Sequence, residues 1–166
     1  MTLPLRLVLE QTAPICGEVG TNLDELRARL AAVRAAGPTL VAFPELALTG
    51  YGLEARTREL ATPTDAPPPL RAPDGVDVLV GFPEASDDGR VFNACGVVRG
   101  GDWLHRYRKC FLPTYGTFDE GRFFAPSREG PRPVELAPGW RVTPLICEDL
   151  WHPSLTYLAG LQGADV

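Results

Sequence analysis

Apolar and polar positions along the chain change period several times, and each change marks an element. Residues 3–10 (LPLRLVLE) alternate and predict a first strand. Leu23, Leu26, Leu30 and Val33 recur at helical spacing behind Thr21-Asn22-Leu23-Asp24-Glu25, which offers a capped helix start. Gly37-Pro38 stops that helix, and residues 39–43 (TLVAF) predict a short, fully apolar strand ending at Pro44-Glu45. A short helix is expected over 53–60, followed by a proline-rich surface connection over 61–74 without regular structure. Strand-like runs follow at 76–82, 91–98 and 103–107, separated by the hairpin signals Asp87-Asp88-Gly89 and Gly100-Gly101. Residues 111–127 are aromatic and turn-rich and predict an ordered loop. A further hairpin is expected from 134–136 and 140–146 around Pro138-Gly139, then a helix over 154–161 and the entrance of one more strand at 163–166. Helices mixed with strands adjacent in sequence predict a layered α/β sandwich with a mixed sheet.

Composition narrows the class. A chain of 166 residues suits one domain, 1–166, with a real core. A net charge of −5 argues against nucleic acid as a partner. No run approaches the roughly 20 apolar residues of a membrane span. The start, MTLPLRLVLEQ, has too short an apolar core for a signal peptide, so the expected location is cytoplasmic. Cys16, Cys95, Cys110 and Cys147 lie far apart without a CxxC pair, which predicts free thiols rather than a disulfide framework. The 16 basic residues comprise 15 Arg and a single Lys, Lys109. A lone ammonium in an Arg-biased chain suits a place where a compact point charge must enter a tight site.

Three residues at the ends of predicted strands carry candidate chemistry: Glu45, Lys109 and Cys147. Acyl transfer on an amide needs a nucleophile, a group to move protons and a positive or hydrogen-bonding site for the oxyanion. A thiol, a carboxylate and an ammonium supply these, and a nearby ammonium is expected to favour the thiolate. Each residue also has a bland reading, and spacing alone does not bring the three together. Cys110 is expected to face the core, on the other side of its strand from Lys109. His105 and His152 invite a Cys–His dyad or a zinc site, but Cys147 and His152 fall short of four structural ligands, so no metal is expected. His152 is read as structural, Ser154 as a helix cap, and Asp149 as a cap of the following helix through backbone N–H groups. Trp151 and Phe118 suit a pocket wall or plain packing equally well.

The stretches FPELALTGY (43–51), RYRKCFLP (106–113) and PLICEDLW (144–151), in this order, resemble the nitrilase (carbon–nitrogen hydrolase) superfamily, whose catalytic set is Glu, Lys and Cys. FDEGRFF (118–124) resembles the region that carries a second glutamate, here Glu120. Together these matches cover almost the whole chain. The run KCFLPTYGTFDEGRFF (109–124) and ICEDLW look most like the glutamine-hydrolysing domain of glutamine-dependent NAD synthetases, where the tyrosine matching Tyr115 lies at the glutamine pocket. The resemblance implies amide C–N hydrolysis through a thioester on Cys147, without a cofactor. Glu45 would move protons, Lys109 and the backbone N–H of Glu148 would hold the oxyanion, and Glu120 would orient Lys109 or the substrate.

The resemblance also implies a nitrilase-like α-β-β-α sandwich with mixed sheets. Superfamily domains run on beyond the nucleophile's helix, so the C-terminal part of that sandwich is expected to be missing from these 166 residues. No ATP or NAD chemistry is expected. The expected partners are a small-molecule amide, glutamine first, and a homo-oligomer or a complementing chain. Two other readings stand beside the enzyme: an inactive truncated fragment, and a non-catalytic module that completes its sheet with a partner.

Overall fold

The computed structural model describes residues 3–35 and 37–166. Met1 and Thr2, which open the segment weighed as a leader, and Ala36 lie outside the described residues. Three parallel strands, β1 (Arg6–Leu9), β2 (Thr39–Ala42) and β4 (Val76–Ala85), form one half of a six-stranded mixed sheet. The hairpin strands β5 (Val91–Arg99) and β6 (Asp102–Arg108) extend it antiparallel in the order β1-β2-β4-β5-β6. Gly89 and Gly100 take positive φ between these strands, as the turn signals require. The two-residue strand β3 (Thr62–Pro63) pairs parallel with the far end of β4, so the proline-rich connection does contain a short ladder, Thr62 opposite Glu84 and Pro63 opposite Ala85.

Both faces of this sheet are covered, and the first eight residues of β5 are all buried, as expected of a strand packed on two sides. Helix α1 (Val19–Ala32) lays Leu26 and Leu30 on one face, against Val41, Phe43, Val78, Val80 and Phe82. The other face packs Leu40 and Val97 against the second, two-stranded sheet of β7 (Val134–Ala137) and β8 (Trp140–Val142) through Val134, Leu136 and Val142. The chain then runs through 143–146 into a 3₁₀ turn, Cys147–Trp151, and helix α2 (Pro153–Leu161). Among the described residues no helix is long and apolar enough to cross a membrane.

Several local expectations are corrected. Helix α1 begins at Val19, so Asn22 is not its cap. The buried Asn22 amide instead accepts from Ile15 N and donates to Ile15 O and Leu48 O, tying the helix to two loops. The expected helix over 53–60 is a single 3₁₀ turn, Glu54–Thr57. The strand expected over 140–146 stops at Val142. Beyond it the backbone bonds elsewhere: Thr143 N donates to Val166 O and Ile146 N to the Asp149 carboxylate. Helix α2 starts at Pro153, with Ser154 already inside it.

One glycine positions the turn after β2. Phe43 N and Leu48 N donate to Leu79 O and Gly81 O of β4, clamping the Pro44-Glu45-Leu46 turn from both sides. A Cβ on Gly81 would lie 2.5 Å from Leu46 N and 2.7 Å from Pro44 O, both backbone atoms. Gly81→Ala is therefore expected to cost roughly 1–3 kcal/mol of unfolding free energy, the range for overpacking a tight contact. Urea denaturation measures it, and a loss below about 0.5 kcal/mol, the scatter of neutral substitutions, means that the turn moves aside freely.

Candidate active site

Lys109 follows the last residue of β6, and its backbone N donates to Asn93 O of β5 (2.8 Å). Its side chain is fully buried, 0% exposed. An ammonium without water must have its hydrogens met by protein acceptors. Nζ lies 2.8 Å from Glu45 Oε1, 2.8 Å from Glu120 Oε1 and 2.9 Å from Glu120 Oε2. Burial alone would lower the Lys109 pKa, but the hydrogen bonds and charges of Glu120 and Glu45 outweigh it, and the ammonium is held above its ordinary value.

Two further donors complete the cluster. Tyr51 OH donates to Glu120 Oε1 at 2.7 Å, and Asn93 Nδ2 donates to Glu45 Oε1 at 2.7 Å. Burial and the neighbouring Glu120 carboxylate push the Tyr51 phenol upward, so it stays a proton donor in this contact. Neither residue is marked by a local pattern in the sequence. Asn93 stands inside a buried strand, and Tyr51 ends the FPELALTGY stretch without standing out as a contact to Glu120.

Cys147 opens its 3₁₀ turn at φ +44°, a left-handed backbone that costs a non-glycine residue roughly 1–3 kcal/mol and persists only where the surroundings enforce it. Asp149, 0% exposed, supplies that enforcement. Its Oδ1 accepts from Cys110 N (3.1 Å) and Phe111 N (2.9 Å), and its Oδ2 from Tyr107 OH (2.8 Å) and Ile146 N (3.3 Å). Asp149 thus does not cap α2 as expected. It fastens the turn at Cys147 to the chain on either side of Lys109, because four donors from two segments reach it before any N–H of the helix does.

Cys147 and Glu45 line the same cavity of about 100 Å³, together with Phe43, Ala94, Leu145 and Ile146. The Cys147 thiol is raised above its ordinary value, contrary to the expected shift toward thiolate. Partial burial of the thiol comes first, then the Glu45 charge. Lys109 and the Glu148 N–H act in the lowering direction, and Glu120 raises again. The charges add to the effect of burial, because one ammonium (+1) sits with two carboxylates (−2).

Around the rim, Tyr115 is 59% exposed and its OH donates to Glu148 Oε2 at 2.6 Å. Phe118 stands edge-on between Tyr51 and Tyr115, with ring centroids 6.2 and 5.9 Å away. His152 stacks on Phe111 at 3.5 Å, with Nε2 3.6 Å from Glu148, which agrees with a structural reading. Cys110 is half-buried beside Cys95, Tyr107 and Ile146, also as expected. His105 lines a different, polar cleft with Arg106, Arg108 and Arg132. All four cysteines are free thiols.

The carbon–nitrogen hydrolase family model matches residues 9–166. The chain belongs to this family. A glutamine-dependent NAD(+) synthetase from Thermotoga maritima is 36% identical over 155 residues, covering 90% of this chain and 26% of the relative. The chain therefore spans about a quarter of that relative's length. Among solved structures, the glutamine-dependent NAD+ synthetase from Acinetobacter baumannii superposes with a TM-score of 0.75 at 25% identity, over 96% of this chain and 30% of that one. A CN-hydrolase superfamily protein from Xanthomonas campestris, solved with an arsenic adduct in its active site, gives a TM-score of 0.73 at 26% identity, over 90% and 56% of the two chains. These neighbours share the mixed α/β fold with its mixed sheet.

The charges around Cys147 make a signed prediction for its alkylation by iodoacetamide, read by peptide mapping against pH. The rate is expected to reach half its maximum above the usual thiol range of about 8.5. Glu45→Gln removes a raising charge and is expected to shift that midpoint down. A midpoint in the wild-type chain near pH 6–7, or an upward shift in Glu45→Gln, contradicts the charge balance.

Proposed function

We propose that this chain hydrolyses the C–N bond of a small amide, with glutamine as the first substrate to test, through a thioester on Cys147. A single observation carries the reading. The fully buried Lys109 ammonium is held by Glu45 and Glu120, and Glu45 shares a cavity with a cysteine in a strained turn. Membership of the carbon–nitrogen hydrolase family and the similarity to NAD synthetases named for their use of glutamine support the substrate class.

The raised thiol is protonated at neutral pH, so the reaction begins with a base. Glu45 takes the thiol proton as Sγ attacks the amide carbon. The carbonyl oxygen gains the electron pair and is held by Lys109 Nζ and the Glu148 N–H. Nζ has three hydrogens and already serves three acceptor contacts, so the oxyanion takes over one of the two Glu120 contacts. Collapse of the adduct breaks the C–N bond, and Glu45 gives its proton to the departing nitrogen, which leaves as ammonia. Water then adds to the thioester, its proton passing to Glu45, and the carboxylic acid departs as the proton returns to sulfur. Tyr115 and Glu148, joined at 2.6 Å on the rim, would contact the substrate's polar end. No step calls for a cofactor. A cytoplasmic setting belongs to the same reading, since the reaction needs a free thiol.

Exposed Leu7 and Leu9 on the outer strand β1 favour a second reading, in which a second copy or a complementing chain covers that edge. Activity that appears only after such a chain is added distinguishes the two.

Ammonia release from glutamine and simple amides, followed in a coupled assay, tests the proposal. Cys147→Ala and Cys147→Ser are both expected to abolish turnover. Lys109→Arg is expected to lose roughly 100-fold or more, the scale of losing an oxyanion donor. Turnover that survives Cys147→Ala removes this cysteine as the nucleophile, and near-normal rates in Lys109→Arg remove the ammonium from the oxyanion site.

A further inference from the structure

We propose that Asn93 is a positioning residue that makes Oε2 of Glu45 the working oxygen of the base. This rests on the amide-hydrolase reading, in which Glu45 carries the proton. The four carboxylate oxygens around Lys109 are not equivalent. Glu120 gives both of its oxygens to Nζ, and its Oε1 also accepts from Tyr51. Glu45 gives only Oε1, which accepts from both Lys109 Nζ (2.8 Å) and Asn93 Nδ2 (2.7 Å). Among the described residues, Oε2 of Glu45 is the one oxygen of the four with no donor.

A lone Glu45–Lys109 pair would not keep that asymmetry. A carboxylate beside an ammonium can turn to offer both oxygens, as Glu120 does, and would then meet the thiol proton with no oxygen clear of the ammonium. The second donor on Oε1 fixes the rotation about the terminal torsion, which is otherwise soft. Asn93 is well placed to do this. It is 0% exposed, lies in the middle of the sheet opposite Pro83, and its backbone O accepts from Lys109 N. One residue therefore holds the base by its side chain and the ammonium-bearing residue by its backbone.

The amide orientation follows from chemistry, because Oδ1 turned toward the carboxylate would meet it acceptor to acceptor. That orientation leaves Asn93 Oδ1 buried without a partner. An unpaired buried carbonyl is unfavourable, and an apolar side chain at this point in the core would avoid it. The structure keeps the polar group where its one satisfied contact is with the base.

Asn93→Ala removes the donor without enlarging a fully buried side chain, and Asn93→Val removes it with a branched apolar side chain where the alanine variant does not fold. Both are expected to lower kcat for amide hydrolysis roughly 10- to 100-fold, a part of what a positioned base contributes, with KM within about threefold of wild type. A role confined to core packing would lower the melting temperature while leaving kcat of the folded protein in place, and that result overturns the proposal. Crystal structures of the same variants give a readout independent of turnover. Glu45 is expected to bring Oε2 within hydrogen-bond distance of Lys109 Nζ, and a Glu45 that keeps its wild-type rotation refutes the proposed role. If the wild-type chain releases no ammonia from any amide, the hydrolase reading fails by itself, and the carboxylate's rotation in the variants still decides what Asn93 does.

Discussion

A fully buried ammonium is the constraint from which the site's geometry follows. Lys109 has no contact with water, and removing one partner of a buried ion pair typically costs about 3–5 kcal/mol, so its neighbours must come to it. They come from two places: the turn after β2 brings Glu45 and the loop after β6 brings Glu120, the same loop that carries Phe118 toward Tyr51. The ordered, non-repetitive segment between β6 and β7 has little regular structure of its own. Its 3₁₀ turn, Glu120–Arg122, is held where the ion cluster needs a carboxylate.

Asp149 does for the turn at Cys147 what Lys109 does for the carboxylates, with neutral donors in place of charges. It is as fully buried, and its four donors belong to two segments, residues 107–111 and Ile146. The two buried charged groups share the same stretch of chain. Lys109 lies between Tyr107 and Cys110, both of which donate to Asp149. The positive φ of Cys147 is sustained because the residue before it and the residue two places after it are tied together by the same carboxylate. Gly81 makes the matching allowance on the other side, admitting the Glu45 turn against β4 at a distance that no side chain would tolerate.

Much of this could be read from the sequence, because period and turn chemistry are local. The six-stranded sheet's main strands, the hairpins at Gly89 and Gly100, α1 with Leu26 and Leu30 inward, and α2 all lie where alternation and helical spacing put them. The three strand-end residues also proved informative: Lys109 and Glu45 meet at 2.8 Å, and Cys147 lines the cavity that Glu45 lines. The misreadings share one cause. Asn22 resembles a cap and Asp149 a helix-capping acid, but both side chains are claimed by backbone groups distant in sequence. The apolar run 142–146 resembles a strand, yet apolarity reports burial and not which groups the backbone bonds. Asn93 and Tyr51 carry no local mark, since their importance lies in which oxygen each one reaches across the fold.

The thiol shift also runs opposite to the expected direction, and the cause bears on mechanism. Lys109 alone acts toward the thiolate, but burial of the thiol first, and then the Glu45 and Glu120 charges, outweigh it. A raised thiol is no handicap for the reaction proposed here. Intrinsic nucleophilicity falls as a thiol's pKa falls, so a permanently stabilised thiolate would be a weaker attacking group. With a fixed base beside it, a protonated thiol can be deprotonated as it attacks, and the negative charge then passes to the substrate oxygen instead of resting on sulfur. At that moment the charges that opposed the thiolate become useful. Glu45 and Glu120 hold Lys109 above its ordinary value, which keeps it an ammonium where the proposed oxyanion would form. In the proposed reaction the same two carboxylates would disfavour charge on sulfur and preserve the charge that receives it, and a single neutral amide, Asn93, would decide which Glu45 oxygen remains free.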